Sequence, residues 1–231
     1  MHMPMRVLSL AAFALITLCS PSGLLGQNPD HAQVMSLDKL ELHNVMANLT
    51  TYRGLPAVRI ADTSRPDLGD ASRFALVPGD SFQDGSIEIT LSGDTGPDAP
   101  PELRGFVGIA FRVSEDDSRF ECFYLRPKNG RSEDQLQRNH SAQYISIPGF
   151  PWQKLRSETP SKYEAYVDLI PGEWTKVRIQ VKDRTARLYV NGSEQPTLIV
   201  NDLKQPSARG GIGLWIGPGT IAHFTNLKLT H

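Results

Sequence analysis

Cysteine is nearly missing from this 231-residue chain, which has two, Cys19 and Cys122. Cys19 sits in an N-terminal apolar segment, so the folded part keeps Cys122 alone and no internal disulfide can form. A domain without that constraint must be held by its own core. Cys122 reads as a small buried apolar side chain, since a reactive thiol needs an electropositive setting. An excess of one charge is lacking too. The formal net charge is −1, and acids and bases are interleaved, which argues against nucleic acid as a partner. No apolar run reaches the ~20 residues of a membrane span. Helical periodicity of useful length is absent, with only a turn or two to be expected around 132–138. There is no Gly-x-Ser-x-Gly, phosphate loop, dinucleotide fingerprint or Cys/His array, so no metal site is expected and the sequence identifies no cofactor.

The N-terminus has the layout of an export signal over 1–26. Arg6 precedes an uncharged, mostly apolar run from Val7 to Leu18, and Ser20-Pro21-Ser22-Gly23 ends it. No Ala-x-Ala occurs, so Gly23 or Gly26 must supply the small residue at the cut. Lipidation at Cys19 is disfavoured by the bulky Leu18 before it. The expected destination is secreted or periplasmic. After a polar leader over 27–36, the segment 37–231 fits one domain, since roughly 205 residues is a comfortable size for a single β-sandwich.

That segment consists of short strand-like runs punctuated by turn residues. Ile87, Ile89 and Leu91 alternate with Glu88 and Thr90, and Val177, Ile179 and Val181 alternate with Lys176, Arg178 and Gln180. Period-2 alternation marks strands with one face buried. Phe74 to Val77 reads as a strand ended by Pro78-Gly79. Asn191-Gly192 is a tight-turn signal between Tyr189 and a strand from Thr197 to Val200. In the run from Phe106 to Val113, Val107, Ile109, Phe111 and Val113 take one side, while Gly108 and Ala110 leave the other small. Either they floor a groove or another element packs closely on them.

The stretch Trp174 to Gly192, followed by Gly211 to Leu214 (Gly-Ile-Gly-Leu) and by Phe224 and Asn226, resembles the closing strands of the concanavalin A-like lectin/glucanase superfamily. LamG-like domains and the 3-keto-disaccharide hydrolases are members. The resemblance implies an all-β, two-sheet antiparallel jelly-roll sandwich, which strands without helices favour independently. It also implies a ligand resting on a concave sheet face, with Arg112 at a position the hydrolases commonly fill with Arg. The chain departs from that family in reading Phe106-Val107-Gly108-Ile109 where the family has Asn-Ser-Gly-Ile. It likewise has Trp215-Ile216-Gly217-Pro218-Gly219 where the family places Gln before a His-Gly pair.

The site candidates lie mostly within 120–168. With Val113, Phe123, Leu125, Ile145, Val167 and Leu214 assigned to the core, the opposite parity turns Arg112, Tyr124, Arg126, Tyr144, Glu164, Tyr166, Asp168 and Trp215 outward. Aromatics beside arginines, amides and acids suit a saccharide, which offers a C–H face for stacking and a rim of hydroxyls for hydrogen bonds. Trp152 and Trp215 are the stacking candidates, although Trp152 could equally pin its own loop. Asn129, Arg131, Asp134, Gln135 and Arg138 crowd the loop that also holds His140. That loop is either a rim that grips ligand or a segment stiffened by its own Arg–Asp pairs. If chemistry occurs, His140 and Glu164 are the proton-transfer candidates. Glu164 and Asp168 would stand about 13 Å apart along one strand, too far for the ~5–9.5 Å of a glycosidase pair.

The leading expectation is an exported protein that binds carbohydrate on its concave face and the 127–152 loop. The alternatives are a hydrolase or lyase acting on glycosides, and a LamG-like module that binds a protein.

Overall fold

The computed structural model describes residues 1–2, 39–63 and 73–231, and the described residues from 39 onward form one compact unit. Apart from Met1 and His2, the expected export signal, Cys19 and the polar leader lie outside the described residues.

Fourteen described strands form two seven-stranded antiparallel sheets. Across the first sheet run β1 (Glu41–His43), β4 (Phe74–Phe82), β13 (Gly210–Ile216), β6 (Val107–Val113), β7 (Phe120–Leu125), β8 (Ala142–Ile147) and β9 (Glu164–Ala165). Across the second run β12 (Leu198–Val200), β11 (Thr185–Val190), β10 (Thr175–Lys182), β5 (Gly85–Thr95), β14 (Thr220–Thr230), β3 (Leu55–Asp62) and β2 (Val45–Tyr52). The all-β sandwich is therefore as the alternation implies.

The second sheet follows the simplest rule. On β10, Val177, Ile179 and Val181 are buried and paired with Ile89, Ile87 and Gly85 of β5, while Lys176, Gln180 and Lys182 face water. After β11, Asn191 and Gly192 take φ values of 53° and 77°, the left-handed pair that the Asn-Gly signal demands. The two sheets meet through Val107. A side chain added at Gly93 of β5 would lie 2.6 Å from its Cγ1, so β5 comes this close only because Gly93 is bare. Cross-strand partners of Val107 share its inward face, which places Leu125, Ile109, Phe123, Phe111, Leu214 and Ile216 in the core.

The first sheet departs from simple alternation. Every residue of β6 and of β7 is buried, so both faces of these strands are covered. Of the two readings of Gly108 and Ala110, close packing is the one observed. A Cβ on Gly108 would stand 2.2 Å from the Phe123 carbonyl oxygen and 2.5 Å from Tyr124 Cβ. Gly108→Ala is expected to cost about 3 kcal/mol, the upper range for overpacking, because backbone rather than a flexible side chain is in the way. Urea denaturation of the variant measures it, and a loss below about 1 kcal/mol would contradict the close approach.

Three local expectations change. Strand β4 does not stop at Pro78-Gly79. Its register with β13 slips instead, Val77 pairing with Ile212 and Phe82 with Gly210, and the proline, which has no N–H to donate, falls in the irregular part. The last strand of the 120–168 stretch, β9, is only two residues long, so Tyr166 and Asp168 lie outside the sheet and do not share a strand face with Glu164. Beyond the short helix α1 (Gln135–Arg138), which falls where a turn or two was expected, a second helix forms, α2 (Trp152–Glu158). Seven residues give too little period to be read in advance. Pro151 precedes it, Thr159 closes it by donating to the Leu155 carbonyl at 3.0 Å, and Pro160 prevents continuation. It buries Leu155 and approaches β8, placing Trp152 and Arg156 beside the outer face of the first sheet.

Candidate functional site

The outward parity of β6, β7, β8 and β13 puts Gly108, Tyr124, Gln143 and Trp215 in neighbouring positions, since Gly108 pairs with both Tyr124 and Trp215 and Tyr124 pairs with Gln143. Glu164 continues the row as the partner of Gln143 on β9. Gly108 lies between two aromatic neighbours that close over it, and the Tyr124 and Trp215 ring centroids are 4.9 Å apart.

Arg126, just past the end of β7, is the hub. Its Nη2 donates to Tyr124 Oη at 2.7 Å and to Gln143 Oε1 at 3.0 Å; its Nη1 donates to the His140 carbonyl at 2.9 Å and to Glu164 Oε1 at 3.4 Å. The guanidinium lies 5.0 Å from the Tyr124 ring centroid, 5.7 Å from that of Trp152 and 6.0 Å from that of Phe106. Arg156, from α2, reaches Glu164 through Nε at 3.0 Å and through a short bond from Nη2, and stacks 4.6 Å from the Trp152 centroid. Two guanidiniums thus grip one carboxylate whose side chain is 2% exposed. Buried charges of this kind persist only when paired and hydrogen-bonded.

His140 joins the same carboxylate, its Nε2 3.5 Å from Glu164 Oε2. Burial pushes its pKa below the ordinary histidine range; Glu164 opposes that shift, and Arg156 and Arg126 add to it. The imidazole is therefore mainly neutral at pH 7 and able to accept a proton. Two polar atoms in the cluster are left over, both buried and without a hydrogen-bond partner: the donor Trp215 Nε1 and the acceptor Asn129 Oδ1. An unpaired buried donor costs about 1–3 kcal/mol. Such groups in a native fold require an explanation, and a ligand acceptor is one.

The structure brings together Tyr124, Arg126, His140, Trp152, Glu164 and Trp215 of the expected residues. All of these except His140 and Trp152 are buried, so the expectation that Tyr124, Arg126, Glu164 and Trp215 stand exposed is corrected. They do lie on the outer face, but that face is covered. The half-buried rim consists of Trp152, Arg156 and His140.

Four other expectations are redirected. Tyr144 pairs with Phe123 and so faces inward, where its hydroxyl donates to Glu121 and accepts from the Lys204 N–H at 2.9 Å; Ile145, assigned to the core, takes the outer side. Arg112 lies further along β6 with a left-handed φ of 53°. It is spent as a clamp, donating to the Gln83 carbonyl at 2.9 Å, Asp84 Oδ1 at 2.9 Å and the Asp183 carbonyl at 2.8 Å. Most of the polar loop bonds to itself or to the segment after β9. Arg131 makes a two-pronged exposed pair with Asp168 at 2.7 and 2.8 Å, Asp134 caps α1, Gln135 bonds Asn139, and Arg138 covers the exposed Tyr166 ring at 5.2 Å. Asn129 is buried and donates to the His140 carbonyl at 3.2 Å, so together with Arg126 it positions that histidine.

Gln143, Arg156 and Phe106 were not foreseen. Gln143 had a usable signal in its place on the strand after the loop, in phase with the outward positions. Arg156 had none, because its placement depends on α2.

No family model matches the chain, and no curated protein does. Solved structures do. The carbohydrate binding module CBM66 from Bacillus subtilis is 11% identical, with a TM-score of 0.51 over 82% of this chain and 97% of that one. A Bacillus subtilis protein of unknown function with a galectin-like fold is 12% identical, with a TM-score of 0.55 over 85% and 92%. At such identities the likeness shows the fold alone: the chain is a concanavalin A-like two-sheet sandwich.

Proposed function

We propose that this sandwich is an exported carbohydrate-binding protein that holds a sugar over the outer face of its first sheet, at the half-buried Trp152–Arg156–His140 rim, which parts to let the sugar reach the covered Trp215 and Tyr124. The observation behind the reading is the unpartnered Trp215 Nε1, buried among aromatic rings and beside a charged hydrogen-bonding cluster. A sugar matches both halves of that surface, offering C–H faces to the rings and oxygens to the donors. The fold neighbour named as a carbohydrate binding module is consistent with it, and the apolar run after Arg6 supports export.

A second reading is favoured by one contact, the 3.5 Å approach of His140 Nε2 to Glu164 Oε2. A neutral histidine steadied by a carboxylate can move a proton, as the resemblance to 3-keto-disaccharide hydrolases would require. Against it, Glu164 is committed to two arginines, and Glu121 of β7 bonds to Tyr144 on the opposite side of the sheet. Incubation with ordinary and C3-oxidised disaccharides is expected to give retention with no monosaccharide released. Release that disappears in His140→Ala would replace binding by catalysis, and failure to retain any glycan on an array would leave the protein-binding alternative in its place.

A further inference from the structure

The outer-face cluster is unbalanced in charge and in hydrogen-bonding capacity. Arg126 and Arg156 face a single carboxylate, Glu164, so two positive charges less one negative leave +1. His140, kept mainly neutral by its burial, does not alter that sum. Asp134, the other acid that acts on His140, is exposed and occupied in capping α1. Arg126 is nearly enclosed, with 5% of its side chain exposed, whereas Arg156 is 32% exposed at the rim. Asn129 Oδ1 is a buried acceptor left without a partner, while donors remain on two side chains. Glu164 accepts from both guanidiniums, the Gln143 carbonyl oxygen is taken by Arg126, and the His140 carbonyl is taken by Arg126 and Asn129. Trp215 Nε1 has no acceptor, and the Arg156 bonds to Glu164 use Nε and Nη2, leaving its Nη1 for a ligand.

A ligand that completes such a site must bring acceptors and negative charge. Neutral hexoses supply hydroxyls, which donate as well as accept; an ionised carboxylate only accepts, and it matches the planar fork of a guanidinium. Resting on the carbohydrate-binding reading, we propose that the sugar held here is acidic, a hexuronate-containing glycan whose carboxylate is met by Arg156 at the rim while a ring oxygen or hydroxyl accepts from Trp215 Nε1.

The test uses the whole exported chain and a panel of oligogalacturonate, oligoglucuronate and alginate oligosaccharides. Each is paired with its carboxyl-reduced counterpart, which keeps the linkages and lacks the charge. Titration calorimetry is expected to show at least one acidic glycan bound about tenfold or more tighter than its reduced partner. In Arg156→Gln that ratio should fall to near one. It should persist in Arg178→Gln, which removes a cation from the second sheet and so reports any general attraction of the surface for anions. A reduced glycan bound within about twofold of its acidic parent overturns the inference while leaving the carbohydrate reading intact. The same holds if Arg178→Gln lowers the ratio as much as Arg156→Gln does. Binding of neither set, on a panel extended to neutral glycans, overturns both.

Discussion

Trp215→Phe is expected to fold normally and to weaken glycan retention about tenfold or more. The indole is 3% exposed and packed 4.9 Å from the Tyr124 ring, so Trp215→Ala would open a cavity and mix a folding defect with a binding one. The phenyl ring keeps most of the packing and deletes one atom of interest, the unpaired Nε1–H. Losing ring volume costs stability, while removing a buried unsatisfied donor returns part of it. The net change in unfolding free energy should stay within about 2 kcal/mol. Binding should fall, because a ligand acceptor that meets the donor in the wild type would be left unpaired in the variant. Frontal affinity chromatography beside a urea titration separates the two effects. Retention equal to wild type would remove Trp215 from the site and with it the main support for carbohydrate binding there.

Glu164→Ala should be the most damaging single change in the cluster, costing about 3 kcal/mol or more. The carboxylate is the common partner of Arg126, Arg156 and His140. Without it Arg126, 4% exposed, keeps Tyr124, Gln143 and the His140 carbonyl but no counter-charge. Arg156, a third exposed, can turn towards water, which holds the loss near the lower end of the range for a broken buried pair. Glu164→Gln keeps the shape and some hydrogen bonds and should lose less. The contrast is Asp168→Ala. Its pair with Arg131 has better geometry but both side chains are more than half exposed, so solvent screens it and the melting temperature should hardly move. If the two alanine variants unfold alike, the buried carboxylate is not what fixes the arginines.

The reading of 120–168 shows what one-dimensional information can reach. Its polar density was visible, and His140 and Trp152 were picked out by residue type, Arg126 and Glu164 by residue type and strand parity together. Residue type could not separate them from Arg131, Asp134, Gln135 and Arg138, which have the same composition and mostly hold the loop in shape. The difference is burial: Arg126 and Glu164 are 38 residues apart and meet because β7, β8 and β9 are in register. Parity also misled at Tyr144, whose neighbour Ile145 looked like the core residue. When both faces of a strand are covered, apolar character no longer says which face looks inward.

By itself the sequence determined the all-β sandwich, because alternation on β5 and β10 and a left-handed turn at Asn191-Gly192 are local properties of a chain with one sheet face to bury. Only the tertiary structure decided the site. Arg126, His140, Gln143, Arg156 and Glu164 come from separate segments and act as one cluster only once cross-strand register and the unforeseen helix α2 set their distances. The unmatched donor at Trp215 exists only as a relation among packed neighbours, which no stretch of sequence contains.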